Sequence, residues 1–266
     1  MTRKDMRFFM TSLITFIAMT PLSADLWKID TAVGVWNSSA SGTITSTANE
    51  TLYFQDELSG HESVQNGYFY VSVRHPLPII PNLRLEYADV STSGKGTEVG
   101  TNSTSLPGNM AIAPGVVQSS LSMTQYDTIL FYNLLDKTFG MTVDAGLDLK
   151  YLSTDYKIDG VYESSDSSVI PLVYVRGRYD IPVAGLGLEG DVKYITDGSS
   201  TVYDVRVKVD YVLGLVPLHP GVELGYRIQQ FTSVGEESAL IGPIISGKTD
   251  TDIGFSGIYG GLTVKF

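Results

Sequence analysis

The chain has 266 residues, of which 18 are Lys or Arg and 29 are Asp or Glu, giving a formal net charge of −11 with His neutral. That acid excess excludes a nucleic-acid binder, which needs a basic surface to neutralise phosphates. Cysteine is absent, so disulfides and thiolate metal sites are excluded and the fold must rest on packing and hydrogen bonding.

The first seven residues carry Arg3, Lys4 and Arg7, the stretch from Phe8 to Met19 is mostly apolar, and Pro21-Leu22-Ser23-Ala24 follows. These are the three parts of a secretory signal peptide over residues 1–24, with Ala24 before the cleavage point. The apolar part, about 12 residues, falls short of the roughly 20 that a membrane-spanning helix needs. Removing Arg3, Lys4, Asp5 and Arg7 leaves 15 basic and 28 acidic residues in 25–266, a formal charge of −13. Nothing in that span reads as an interdomain linker, so a single domain is expected. The whole chain's 16 Tyr, 10 Phe and 27 Gly against 2 Trp fit strands joined by tight turns.

Beyond residue 25 no apolar run approaches the roughly 18 residues of a helical span, and the pattern has period two. Phe139, Met141, Val143, Ala145, Leu147, Leu149 and Tyr151 alternate with Thr142, Asp144, Gly146, Asp148 and Lys150. Leu186, Leu188, Gly190, Val192 and Tyr194 alternate with Gly187, Glu189, Asp191 and Lys193. Tyr203, Val205, Val207, Val209, Tyr211 and Leu213 alternate with Asp204, Arg206, Lys208 and Asp210. With less regular segments, strands are predicted near 26–39, 66–75, 82–91, 120–133, 139–156, 168–180, 186–197, 201–213, 221–231 and 251–266.

The connections alternate in length. Those at 75–81, 134–138, 180–185 and 215–220 are short; those at about 40–65, 92–119, 157–167 and 232–250 are long, with one tight exception at 197–200. A soluble β-sandwich or secreted barrel would alternate in the same way, but the turn asymmetry, the signal peptide and the terminal Phe266 point to an all-β, antiparallel up-and-down transmembrane β-barrel of about ten strands, in which backbone polar groups in lipid are all paired and the closed sheet has no edge. Both chain ends then fall on the short-turn side, placing short turns in the periplasm and long loops outside. Tyr87, Tyr126, Tyr132, Tyr151, Tyr179, Tyr194, Tyr211 and Tyr259 lie near strand ends and are expected in the two interfacial girdles. Pro78, Pro182 and Pro217 each precede an alternating strand.

If the apolar positions face lipid, the opposite face lines the lumen. It carries Arg74, Arg84, Glu86, Asp127, Asp144, Asp148, Lys150, Arg176, Arg178, Glu189, Asp191, Lys193, Asp204, Arg206, Lys208, Asp210, Glu223 and Arg227. Both signs interleave, so cross-strand ion pairs are available at most levels. Ten strands enclose little more room than the eight whose interiors side chains fill. A lumen plugged by a charge network is expected, with a narrow polar conduit for small solutes as the alternative.

The chain closes on Tyr259-Gly260-Gly261-Leu262-Thr263-Val264-Lys265-Phe266. Tyr259, Gly261, Val264 and the terminal Phe266 resemble the C-terminal assembly signal of bacterial outer-membrane β-barrels. Residues 25–266 as a whole resemble a Gram-negative outer-membrane barrel family that carries a Gly-Gly pair before this signal, here Gly260-Gly261. The resemblance extends to an early Gly-x-Trp element, Gly34-Val35-Trp36, and to the Pro-bearing turns. It implies an outer-membrane protein that contacts lipid and lipopolysaccharide and meets the barrel-assembly machinery through its C-terminal strand; it implies no activity. Gly260 and Gly261 fall where the last strand must pair with the first, and a missing side chain eases close approach there.

Candidate chemistry is sparse. His75 and His219 lie in short turns beside Pro76 and Pro220. His61-Glu62-Ser63 has the His-x-Ser spacing of two barrel lipases, outer-membrane phospholipase A and the lipid A deacylase, in which His is the general base for a Ser nucleophile. The resemblance covers three residues, and an exposed loop is its ordinary explanation. Omptin proteases also use ten strands, with Asp and His at the outer rim, but the chain has no matching Asp-x-His element. No His spacing fits a zinc site, no cofactor motif is visible, and Gly94-Lys95-Gly96 lacks the rest of a phosphate loop. Glu50, Asp56, Glu57, Glu62, Glu236, Glu237 and Asp250 make the outer loops mildly acidic, so divalent cations held by lipopolysaccharide phosphates have carboxylates to bridge to. The stretch from Leu106 to Gly115 is apolar enough to fold over the barrel mouth. The expected function is a non-enzymatic outer-membrane barrel, structural or narrowly conducting, with a rim lipid hydrolase or a loop-borne adhesin or receptor as alternatives.

Overall fold

A computed structural model describes residues 27–45, 51–53, 63–96, 104–106, 110–112, 117–158, 162–181, 185–214, 218–233 and 250–266. The predicted signal peptide, His61, the acidic residues of the first and last loops apart from Asp250, and much of the proposed lid lie outside these residues. Of the lid segment, Leu106 closes the short strand Thr104–Leu106, which pairs with Met110–Ile112.

Ten long strands form the wall: β1 (Lys28–Thr45), β2 (Val64–Arg74), β3 (Asn82–Gly96), β4 (Val117–Thr138), β5 (Met141–Ile158), β6 (Tyr162–Ile181), β7 (Leu186–Thr196), β8 (Ser200–Val212), β9 (His219–Ser233) and β10 (Asp250–Lys265). Each pairs antiparallel with the next. β10 closes the ring on β1, from Asp30–Lys265 to Thr45–Asp250. The fold is a closed ten-stranded antiparallel β-barrel, which leaves no sheet edge.

The lower rim carries the connections 75–81, 139–140, 182–185 and 213–218, and the upper rim carries the rest. Strand positions follow the alternation, but several strands run higher than expected. Ser-rich stretches without apolar alternation still pair: β5 and β6 continue to Ile158–Tyr162, so the loop expected at 157–167 is a connection of 159–161. Gly94-Lys95-Gly96 likewise belongs to β3 and pairs with Val117–Ser119 of β4 rather than forming a loop. Ladder hydrogen bonds extend a sheet wherever the neighbour continues, whatever the side chains.

Local chemistry sets the turns. At the upper rim, Asp197 Oδ1 accepts from Ser199 N at 3.0 Å and Ser200 N at 2.6 Å, while Gly198 takes φ +93°; an Asx turn joins β7 to β8. At the lower rim, Phe139 (φ +54°) and Gly140 (φ +80°) are the two central residues of the β4–β5 hairpin, the backbone of a type I′ turn.

Candidate functional site: the filled lumen

Period two dictates that one face of every strand points into the barrel. On the outer face of β5, Met141, Leu147, Leu149 and Tyr151 are exposed, while Thr142, Asp144, Asp148, Lys150, Leu152 and Thr154 are buried inside. From Met141 to Tyr151 the apolar face runs roughly 33 Å along the strand, about 25 Å along the axis of a tilted barrel, the height of a lipid-facing band. Tyr87, Tyr126 and Tyr151 are register partners on three neighbouring strands and close this band above, with ring centroids 5.3 and 6.3 Å apart.

All eighteen residues of the anticipated charge network point inward; sixteen are buried, and Arg74 and Arg178 are partly so. They comprise nine bases and nine acids. Glu86 accepts from Arg84 at 2.5 Å and from Lys193 and Arg206 at 2.7 Å. Asp127 pairs with Lys150 at 2.8 Å and with Lys193. Asp204 accepts from Arg227 at 2.6 Å and from Gln229 at 2.9 Å. Asp144 holds Arg74 at 2.9 Å and Arg176 at 2.7 Å; Glu189 holds Arg176 at 2.5 Å and Arg178 at 3.0 Å. Arg206 lies 2.8 Å from Asp191, and Asp210 takes Arg178 at 2.5 Å and Lys265 at 2.7 Å. Glu223 accepts from Lys208 at 2.8 Å. Asp148 differs: its carboxylate accepts no hydrogen bond, and Lys193 Nζ stands 3.6 Å away.

Aromatic and amide side chains that the charge pattern did not single out complete this layer. Tyr68 and Tyr70 donate to Glu223 at 2.6 and 3.2 Å. The Arg84 guanidinium lies 4.1 Å from the Tyr70 ring centre and that of Arg227 4.9 Å from the Trp36 ring. Gln125 and Gln229 exchange two hydrogen bonds, at 3.0 and 2.8 Å. Tyr259 corrects the girdle expectation: it is buried in the lumen, edge-on to Tyr68 with centroids 5.5 Å apart. Its odd position puts it opposite in phase to Leu262 and Val264. The readable signal was inward glycines beside inward aromatics: Gly34 faces Tyr68 across β1–β2, and Gly225 faces Tyr259 across β9–β10.

Above the tyrosine row the polarity of the wall inverts. Outside stand Asp89, Ser91, Thr124, Ser153, Asp155, Ser167, Thr232 and Asp252; inside, Val90, Leu121, Met123, Leu152, Ile170, Val202, Phe231, Ile253 and Phe255 are buried together. Within the band the barrel is apolar outside and charged inside; above it, the wall is built like that of a water-soluble barrel around a hydrophobic core. The sequence holds this signal as a phase change, odd Leu121 and Met123 against even Leu130 and Tyr132 on β4.

Between the charged and aromatic side chains, a hollow bounded by Trp36, Tyr68, Tyr70, Arg84, Arg206, Glu223 and Tyr259 measures about 10 Å³, roughly room for one water. A wider vestibule of about 420 Å³ opens at the lower rim, bounded by Lys28, Arg74, Arg178, His219 and Lys265. On the outer wall, paired Gly177 and Gly190 leave an apolar groove of about 660 Å³ among Tyr179, Leu188, Val207 and Tyr226. Ser63, the described member of the His-x-Ser pair, is exposed just before β2. Among the described residues no group of three or more His, Asp or Glu is arranged to hold a metal ion.

No protein-family model matches the chain, and no curated protein matches it. Among solved structures it is similar to the outer membrane protease OmpT from Escherichia coli, at 11% identity over 93% of this chain and 99% of that one, with a TM-score of 0.50. It is also similar to the translocator domain of the autotransporter NalP from Neisseria meningitidis, at 10% identity over 96% and 95% of the two chains, with a TM-score of 0.40. The Ralstonia pickettii toluene transporter TbuX matches at 9% identity over 90% and 89%, with a TM-score of 0.33. At such identities the likeness is one of fold.

Proposed function

We propose that this chain is an integral outer-membrane barrel that is structural and closed to solutes, exported by residues 1–24 and assembled through its C-terminal strand. An apolar band about 25 Å high, topped by the Tyr87–Tyr126–Tyr151 row, supports the membrane setting. The observation that carries the closed reading is that side chains meet across the full width of the lumen. Gln125 of β4 and Gln229 of β9 stand on opposite strands of the ring and bond to each other directly. A neutral network with room for one water offers a solute neither a path nor a net field. The non-enzymatic reading rests on the same packing: among the described residues the hollow above the lower vestibule is too small for a substrate.

Single-channel recording on the refolded chain in planar bilayers tests it. Absence of conductance steps is expected. Stable steps from the unmodified chain would overturn the closed reading in favour of the narrow small-solute conduit.

A further inference from the structure

The turns of the lower rim carry apolar side chains where water-facing turns carry polar ones. Ile79 is 86% exposed, Leu134 67% and Phe139 93%, and Leu77, Ile80, Leu213 and Leu218 are exposed as well. The turn positions fall on both sides of the ring, between β2 and β3, between β4 and β5, and between β8 and β9, and Leu134 sits at the register shift near the lower end of β4.

Two of the turns are built to hold their apolar tips in place. In the 75–81 turn the His75 ring accepts from Leu77 N at 3.2 Å on Nδ1 and lies 3.2 Å from Pro81 O on Nε2, while His75 N donates to Asn82 at 3.0 Å. Pro76, Pro78 and Pro81 fix three φ angles in the same seven residues. Tyr132, on the outer wall of β4, donates to Ile79 O at 2.9 Å. That bond lays the turn against the outside of the barrel, continuous with Leu83, Leu85 and Leu130 of the apolar band. Trp27 packs edge-on against His75, centroids 5.7 Å apart, adding the amphipathic ring favoured at a membrane interface. In the β4–β5 hairpin, Phe139 occupies a left-handed backbone position that is strained for a bulky residue. Asn or Asp would close the same turn without that strain. A phenyl ring there is favourable only if it leaves water.

We propose that the lower rim is seated in the headgroup–acyl boundary of the bilayer, with the 75–81 turn and Phe139 as rigid apolar wedges. The occupant is lipid: the tips surround the ring, as a planar boundary touches it from all sides, whereas a docked protein would cover one arc. Charge along the 75–81 wedge agrees, since residues 76–83 contain no Asp, Glu, Lys or Arg.

The inference rests on the outer-membrane reading, and the test separates the two. The chain has no Cys, so Ile79→Cys, Leu134→Cys, Leu147→Cys and Lys157→Cys each accept one environment-sensitive fluorophore in vesicles of phosphatidylethanolamine and phosphatidylglycerol. Positions 79 and 134 should give blue-shifted emission, quenching by brominated lipid and loss of iodide quenching, while 157, above the band, stays open to iodide. Iodide access at 79 and 134 with 147 buried in lipid overturns the inference alone. Protection of 79 and 134 from both quenchers also overturns it, because protein then covers them. Iodide access at 147 overturns the membrane reading itself.

Discussion

Arg206 on β8 and Glu86 on β3 stand on opposite strands of the ten-stranded ring, and their side chains meet at 2.7 Å in the lumen. Glu86 is also the acceptor for Arg84 and Lys193, so one carboxylate joins three cations drawn from three strands. Removing a single member of a buried network leaves its partners charged and unpaired, which costs about 3–5 kcal/mol. Glu86→Gln should therefore lower the unfolding free energy in urea by that order. Asp148→Asn should lose less than about 1 kcal/mol, because Asp148 accepts no hydrogen bond and Lys193 keeps Glu86 and Asp127. Equal losses for the two variants would refute the view that hydrogen-bonded geometry, rather than charge count, holds the network.

The two glycines of the closing strand are not equivalent. A Cβ on Gly261 would lie 2.5 Å from Tyr68 Oη and from Val33 O, whereas one on Gly260 would meet nothing nearer than Glu223 O at 3.3 Å. Gly261→Ala must displace both the β1 backbone and the Tyr68 hydroxyl that binds Glu223. It should destabilise by about 1–3 kcal/mol, read as a lower temperature for loss of the compact, fast-migrating band in cold detergent electrophoresis. Gly260→Ala should leave that temperature nearly unchanged.

The polarity inversion gives a test of depth on a single strand. Leu147 lies in the apolar band and Ser153 just above Tyr151, both pointing outward on β5. Lysine at a mid-membrane lipid-facing position costs about 2–4 kcal/mol and near the interface about 0–1. Leu147→Lys should therefore impair vesicle insertion and Ser153→Lys should not. Similar penalties at both sites would show that lipid reaches above the tyrosine row.

The same inversion makes the upper interior an ordinary hydrophobic core. Phe231 is fully buried there and Ser167 faces outward at that height. Phe231→Ala should cost about 3–5 kcal/mol, and Ser167→Ala should stay within about 0.5 kcal/mol, by equilibrium unfolding in lipid vesicles.

At the chain's end, Phe266 N donates to Ile29 O at 2.9 Å, the last bond after the β1–β10 ladder. Deleting Phe266 removes one terminal bond of a closed barrel, so refolding in detergent should be nearly unaffected. Assembly in cells should fail if the C-terminal strand is the recognised element; normal membrane levels of the shortened chain would remove that role.

Strand number and order were legible in the sequence because alternation is local: a two-residue period sorts side chains into two faces without reference to any other strand, and the export signal, the terminal Phe266 and the turn asymmetry favoured the charged face as the inward one. For that reason the eighteen charged positions could be named in advance, whereas their partners could not. Arg206 finds Glu86 rather than a near neighbour because the ring closes and brings β8 opposite β3, a relation no local pattern contains. Tyr259 was misplaced because an aromatic near a strand end suits the girdle and the lumen equally; inward phase and the space left by Gly225 put it inside. The heights of β3, β4, β5 and β6 were underestimated because paired backbones prolong a strand through Ser-rich sequence. Period, turn lengths and the two terminal signals thus pointed to a closed barrel with a charged interior. Only the tertiary structure decided that, among the described residues, the middle of the lumen is filled, since filling depends on side chains from opposite walls meeting across one narrow space.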